Sequence, residues 1–88
     1  MIEENLIIKN KMGLHARPAA VFVEIASQYE SDITVSKEGL EVNGKSIMGL
    51  LMLAAEKGTE ILLKVSGDDE KAALDELKDF LEGKFNED

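Results

Sequence analysis

Cysteine is absent from the 88-residue chain, which removes disulfides, thiolate-bound zinc and a thiol nucleophile together. A reduced, cytosolic setting is compatible with that composition. Proline occurs once, as Pro18, and no proline-rich linker, low-complexity tract or internal repeat divides the chain, so residues 1–88 are expected to form a single domain. Long apolar runs are missing too. The longest nearly apolar stretch, residues 47–55, falls far short of the ~18 residues a membrane-spanning helix needs. Residues 1–5 are acidic and polar where a secretory signal needs a basic segment followed by an apolar one, so the mature protein is expected to start here. The expectation is a soluble, cytoplasmic protein with no membrane insertion. Positive charge is scarce, with 10 Lys and Arg against 18 Asp and Glu and a net charge of −8. A nucleic-acid backbone would on average be repelled, and no nucleic-acid partner is expected. Neither a metal nor a cofactor is expected.

What charge there is lies unevenly. Asp68, Asp69, Glu70, Asp75, Glu76, Asp79 and Glu82 crowd the last third, whereas Lys9, Lys11, Arg17, Lys37 and Lys45 fall in the first half. A solvated helix face accounts for most of the acidic end. The chain exceeds the roughly 40 residues below which disulfides or metals are usually needed, and one packed layer against another is the natural solution.

Four short stretches alternate apolar and polar with period two, as a strand with one buried face does. Leu6 and Ile8 oppose Asn5 and Lys9; Ile33 and Val35 oppose Thr34 and Ser36; Leu40 and Val42 flank Glu41; Ile61, Leu63 and Val65 oppose Glu60, Lys64 and Ser66. Three segments instead repeat at three and four residues. Over residues 16–29, Ala19, Phe22, Val23 and Ala26 form an apolar stripe opposite Arg17, Glu24 and Gln28, which predicts an amphipathic helix. Over residues 46–56 a short helix is expected, with Ser46 as N-cap and Gly58 as its stop. Over residues 70–82, Leu74, Leu77 and Leu81 share one face behind Asp68 and Asp69 as candidate caps and ahead of Gly83. The order is βαββαβα. Since each strand buries one face, all three helices must cover that face, giving a two-layer, open-faced α/β sandwich. A sheet with one wet face is normally antiparallel, although pattern alone leaves the strand order open.

The chemistry is expected where the first strand ends, in Asn10-Lys11-Met12-Gly13-Leu14-His15-Ala16-Arg17-Pro18-Ala19-Ala20. Gly13 permits a turn no β-branched residue accepts, and Pro18 fits only the first turn of a helix, where its missing N–H is not needed. His15 therefore stands at a helix start. There the unpaired N–H groups of Ala16 and Arg17 and the positive end of the macrodipole form a phosphate-binding site. The Arg17 guanidinium can grip two phosphate oxygens. The blander possibility is that His15 is a surface cap and Arg17 an ordinary exposed charge. The order His-Ala-Arg-Pro after a glycine turn argues against it, because each residue has a role in holding a phosphate and none is needed by a core.

Gly13-Leu14-His15-Ala16-Arg17-Pro18-Ala19 resembles the active-centre signature of the HPr family, the histidine-containing phosphocarriers of the bacterial sugar phosphotransferase system. Lys45-Ser46-Ile47-Met48-Gly49-Leu50 resembles that family's regulatory-serine segment. The resemblance extends over essentially the whole chain. It implies a phosphoryl carrier modified in turnover rather than a stand-alone enzyme. His15 and Arg17 would be its catalytic residues, and Nδ1 of His15 would be phosphorylated by Enzyme I at the expense of phosphoenolpyruvate and then discharged to sugar-specific EIIA proteins or domains. It further implies an HPr kinase/phosphorylase acting on Ser46, a catabolite-control transcription regulator as a further partner, and a sheet whose fourth strand lies between the first and second. Met12 departs from the family, where small polar residues are common.

Gly39-Leu40-Glu41-Val42-Asn43-Gly44-Lys45-Ser46 matches the phosphate-loop pattern G-x-x-x-x-G-K-[ST] literally. That match is rejected, because residues 40–42 alternate as a strand themselves and a chain this short has no room for the parallel sheet a phosphate loop follows. The helix after Ser46 is more informative. Ile47, Met48, Leu50, Leu51, Met52 and Leu53 place apolar groups nearly all round it. One face must pack on the sheet; Ile47, Met48 and Leu51, with Ala20 from the first helix, are expected to form an exposed partner-binding patch near His15. The simpler alternative is that these residues all belong to the core. Two further functions compete with a sugar-branch carrier. One is a regulatory paralogue acting mainly through phosphorylated Ser46, which could dispense with His15; the other is the nitrogen-related branch, against which the Ser46-Ile47-Met48-Gly49 segment speaks.

Overall fold

The structure, a computed structural model, describes residues 1–9 and 12–84, the side chain of residue 84 excepted. Asn10 and Lys11, the first two residues of the loop singled out above, lie outside the described residues. Strands β1 (Ile2–Ile7), β2 (Asp32–Lys37), β3 (Leu40–Asn43) and β4 (Glu60–Ser66) and helices α1 (Ala16–Ala26), α2 (Ile47–Leu53) and α3 (Glu70–Asp79) follow in the order β1 α1 β2 β3 α2 β4 α3. The sheet order is β1-β4-β2-β3, with every neighbouring pair antiparallel. The fourth strand thus lies between the first and second, as the resemblance implied.

Period-two alternation becomes a sheet that is dry on one side. Leu6, Ile8, Ile33, Val35, Ile61, Leu63 and Val65 are buried together with Phe22 and Ala26 of α1, Leu50 and Leu53 of α2 and Leu74 and Leu77 of α3. The opposite face carries Glu3, Lys64, Thr34 and Asn43 side by side in register, and below them Asn5, Leu62, Ser36 and Glu41. Lys64 and Glu41 pair across that face at 3.2 Å. This is the open-faced sandwich expected. Leu40 is an exception. Expected on the buried face, it is 46% exposed, because β3 is an edge strand of the sheet and, of its two apolar residues, Val42 rather than Leu40 packs against the core.

Helix boundaries show where local signals yield to long-range contacts. α1 was expected to reach residue 29. Its regular part ends at Ala26, after which Gln28 N–H donates to Ile25 O and Tyr29 N–H to Ala26 O, the three-residue bonds of a tightened last turn. Ser46 caps α2 as expected, its Oγ accepting from Gly49 N–H at 3.0 Å. The stop at Gly58 is corrected: α2 ends at Leu53, and Ala54 takes the left-handed conformation with φ 55°. Lys37 explains the early end, since its Nζ reaches from β2 to the carbonyls of Leu53 and Ala54 at 3.2 and 3.1 Å. Gly58 lies in the following turn, where its N–H donates to Ile8 O at 2.7 Å.

α3 is regular to Asp79 and continues into a wider turn that breaks at Gly83, where the backbone is no longer helical; the adjacent Phe80 and Leu81 are both in the core. The capping role expected of Asp68 and Asp69 is also corrected. Asp69 occupies the N-cap position but makes no side-chain cap. Its carboxylate accepts instead from Glu30 N–H at 2.9 Å, Ser31 N–H at 3.0 Å and the Ser31 hydroxyl, tying the loop after α1 to the start of α3. The phosphate-loop match dissolves as expected. Glu38 and Gly39, with φ 51° and 89°, form the two-residue turn of the β2–β3 hairpin, residues 40–43 are β3, and Lys45 Nζ donates to Tyr29 O at 2.7 Å.

Candidate functional site

A backbone docking between two loops sets the site. Leu14 N–H donates to Ala55 O at 2.8 Å, just after the end of α2. Leu14 and Ala55 are both buried, so the bond is sheltered from water. Gly13 makes the approach possible. Its φ is +75°, and a Cβ there would lie 2.5 Å from Ala55 O and 2.9 Å from Glu56 Cα. Immediately after this contact comes His15, the N-cap residue of α1, with φ −95° and ψ −167°.

The His15 side chain forms no cap hydrogen bond, so the imidazole is not consumed in closing its own helix. Its carbonyl accepts from Ala19 N–H at 2.8 Å, which starts the helix. The ring is half-buried, and Nε2 is covered by protein with no hydrogen-bond partner among the described residues. Nδ1 is not among these covered, partnerless atoms. Ala16 and Arg17 follow in the first turn, both exposed. Helix geometry leaves their N–H groups without intrahelical acceptors. Arg17 forms no ion pair among the described residues, so its guanidinium is uncommitted. Pro18 is buried in the first turn.

A shallow groove beside His15 is lined by Met12, Leu14, Leu51, Ala54, Ala55 and Glu56. The expected patch is on the surface: Ile47, Met48 and Leu51 are exposed while Leu50 and Leu53 of the same helix are buried. Ala20 is exposed on α1, the helix packed beside α2. Leu51 joins this patch to His15, since it borders the groove. Sequence reasoning left out two members. Met52, 66% exposed, was counted among the apolar residues of α2 but not assigned to its outer side, and Met12, 63% exposed, was noted only as a departure. Ser46 is half-buried at the start of α2, its hydroxyl engaged as the cap. Among the described residues no group of acidic or histidine side chains is placed to hold a metal ion, and no helix is long and apolar enough to cross a membrane.

The antiparallel βαββαβα sandwich thus presents its solitary histidine at the start of the first helix, beside a shallow groove. Comparison with known proteins gives the class. The family model described as the PTS HPr component phosphorylation site matches residues 2–83. The phosphocarrier protein HPr of Xylella fastidiosa (strain 9a5c) is 48% identical over 88 residues, covering 100% of this chain and 99% of that protein. The HPr-like protein Crh of Bacillus subtilis (strain 168) is 44% identical over 82 residues, 93% of this chain and 96% of that one. Among solved structures, HPr-C-His from Thermoanaerobacter tengcongensis superposes with a TM-score of 0.94 at 49% identity, covering 100% of this chain and 99% of that chain. The chain belongs to the HPr family of phosphocarrier proteins of the phosphotransferase system.

Proposed function

We propose that this chain accepts a phosphoryl group on Nδ1 of His15 from Enzyme I and passes it to EIIA proteins or domains, with Ser46 as a regulatory phosphorylation site. The observation that supports this most is the state of the imidazole: the sole histidine of the chain opens α1 with Nε2 covered and with no capping duty. In each transfer the bond from phosphorus to the donor breaks as the bond to Nδ1 forms, and the reverse exchange discharges the carrier. The first-turn N–H groups and Arg17 meet the charge that spreads over the phosphoryl oxygens, a contribution larger in the transferring state than at rest.

Incubation with Enzyme I and phosphoenolpyruvate, followed by intact mass, tests the assignment. One acid-labile phosphoryl group is expected, absent from His15→Ala. Arg17→Ala should remain folded and transfer on the order of tenfold to a hundredfold more slowly, the scale of one lost charged hydrogen bond to a transition state. Label that persists in His15→Ala, or that survives acid, would remove His15 from the role.

For Ser46, a dedicated kinase is the expected partner. A phosphate there would stand at the positive end of α2, a placement that does not melt a helix. Its charge of about −1.5 to −2 would also lie beside Ile47 and Met48, where an approaching partner must desolvate it. Ser46→Asp keeps a capping oxygen and adds charge. It should melt near the parent temperature yet accept phosphate more slowly, mostly through a raised apparent KM; equal rates at limiting carrier concentration would withdraw the regulatory role. The alternative is a regulatory paralogue acting mainly through phosphorylated Ser46 as partner of a transcription regulator; such a protein could dispense with His15, which this chain keeps together with Arg17. Loss of every cellular output in Ser46→Ala, with none in His15→Ala, would select it.

A further inference from the structure

Methionine usually fills irregular gaps in a core, but no methionine is buried here. All four are exposed, Met1 at 71%, Met12 at 63%, Met48 at 70% and Met52 at 66%. Three of them connect to one place. Met12 and Leu51 line the groove that holds His15; Met48 precedes Leu51 by three positions on α2 and so adjoins it on the helix surface, and Met52 follows Met48 by four and so adjoins Met48 in turn. The chain has no cysteine, the side chain that ordinarily meets a peroxide first, so these thioethers are its readiest targets.

We propose that Met12, Met48 and Met52 form an oxidation-sensitive gate on His15: their conversion to sulfoxides suppresses phosphoryl transfer while the fold stays intact. The proposal rests on the carrier reading of His15 and names a regulation of that site. Hydrogen peroxide is the oxidant. A sulfur lone pair takes one peroxide oxygen, the O–O bond breaks as the S–O bond forms, and the proton of the transferred hydroxyl goes to the departing hydroxide, giving water. Sulfur is oxidised by two electrons and peroxide reduced by two. The apolar, adaptable thioether becomes a polar, chiral group. On α2 its oxygen must be stripped of water when a partner docks. At Met12 the negative end of the new S–O dipole stands in the groove beside the incoming phosphoryl anion. Stability should be spared, because the buried core contains no methionine.

Transfer from Enzyme I is measured at limiting carrier concentration before and after peroxide, each protein compared with itself. The parent should slow by about tenfold or more, the scale expected from burying one unpaired polar group. Treatment with methionine sulfoxide reductases of both epimer specificities should restore the rate, and the melting curve of the oxidised parent should remain cooperative and close to its starting position. The combined variant Met12→Leu, Met48→Leu, Met52→Leu keeps side-chain volume and still carries Met1; its rate after peroxide should match its own rate before. The gate is overturned if the parent, shown by peptide mass to be oxidised at all three positions, transfers as fast as before. It is equally overturned if the combined variant loses as much as the parent, or if the oxidised parent has unfolded. An unoxidised parent that accepts no phosphate overturns the carrier reading itself, and the gate with it.

Discussion

Asp69 shows how one side chain can be misassigned by its position and still tie two elements of the fold together. An aspartate immediately before a helix is the usual sign of an N-cap, yet this carboxylate is turned toward Ser31 and Glu30. The hydrogen bond from the Ser31 hydroxyl, then the backbone donors, hold its pKa below the ordinary carboxylate value. A depressed value in the folded chain means stability that is fully present above the unfolded value of about 3.9 and is lost as pH falls through the folded one. Asp69→Asn keeps the shape and removes the charge. It should melt below the parent at pH 7, with the two melting temperatures converging as pH drops below about 4. A gap that stays constant down to strongly acid solution would show that the charge on Asp69 contributes nothing.

At the level of the element, the β2–β3 hairpin holds a correctable strain. Its two turn residues both have positive φ, which suits Gly39 and penalises Glu38. Such turns favour Asn-Gly. Glu38→Asn should stabilise the protein by roughly 0.5 kcal/mol or a little more, read as a higher urea midpoint with an unchanged slope. The same hairpin marks what a linear sequence can and cannot reveal. Alternation located all four strands, because burial on one face of a sheet is written in every second residue. The His15 turn was equally legible, since Gly13 and Pro18 each restrict the backbone locally. The end of α2 was not: Gly58 is the local signal, but Lys37, 16 and 17 positions away from its acceptors, closes the helix sooner. Asp69 and Leu40 failed for the same reason, one drawn to a partner 38 positions away, the other left uncovered at the edge of the sheet. The outward turn of Met52 likewise depends on which side of α2 meets the sheet.

For the molecule as a whole, the one-sided core predicts an asymmetry of tolerance. Leu63, fully buried in the central strand β4, and Ile7, 41% exposed at the end of β1, are both apolar strand residues. Leu63→Ala should cost about 2–5 kcal/mol through lost burial and a residual cavity. Ile7→Thr should stay within about 0.5 kcal/mol of the parent. Urea unfolding of the two variants checks both, and comparable losses would mean that the sheet is covered on both faces in solution.

The strand order has a further consequence, in how the chain is made. β4 is central in the sheet but last of the strands in sequence, and it is the partner of both β1 and β2. The hydrogen bonds of α1 and the pairing of the β2–β3 hairpin require no residue beyond Asn43. β1 has no partner in the sheet until β4 appears: Ile2 waits for Val65, and Ile7 for Glu60. Until residues 60–66 are available the first strand therefore has no partner in the sheet, whereas the hairpin already has its own, and the histidine that follows β1 stands after a strand that is secured last.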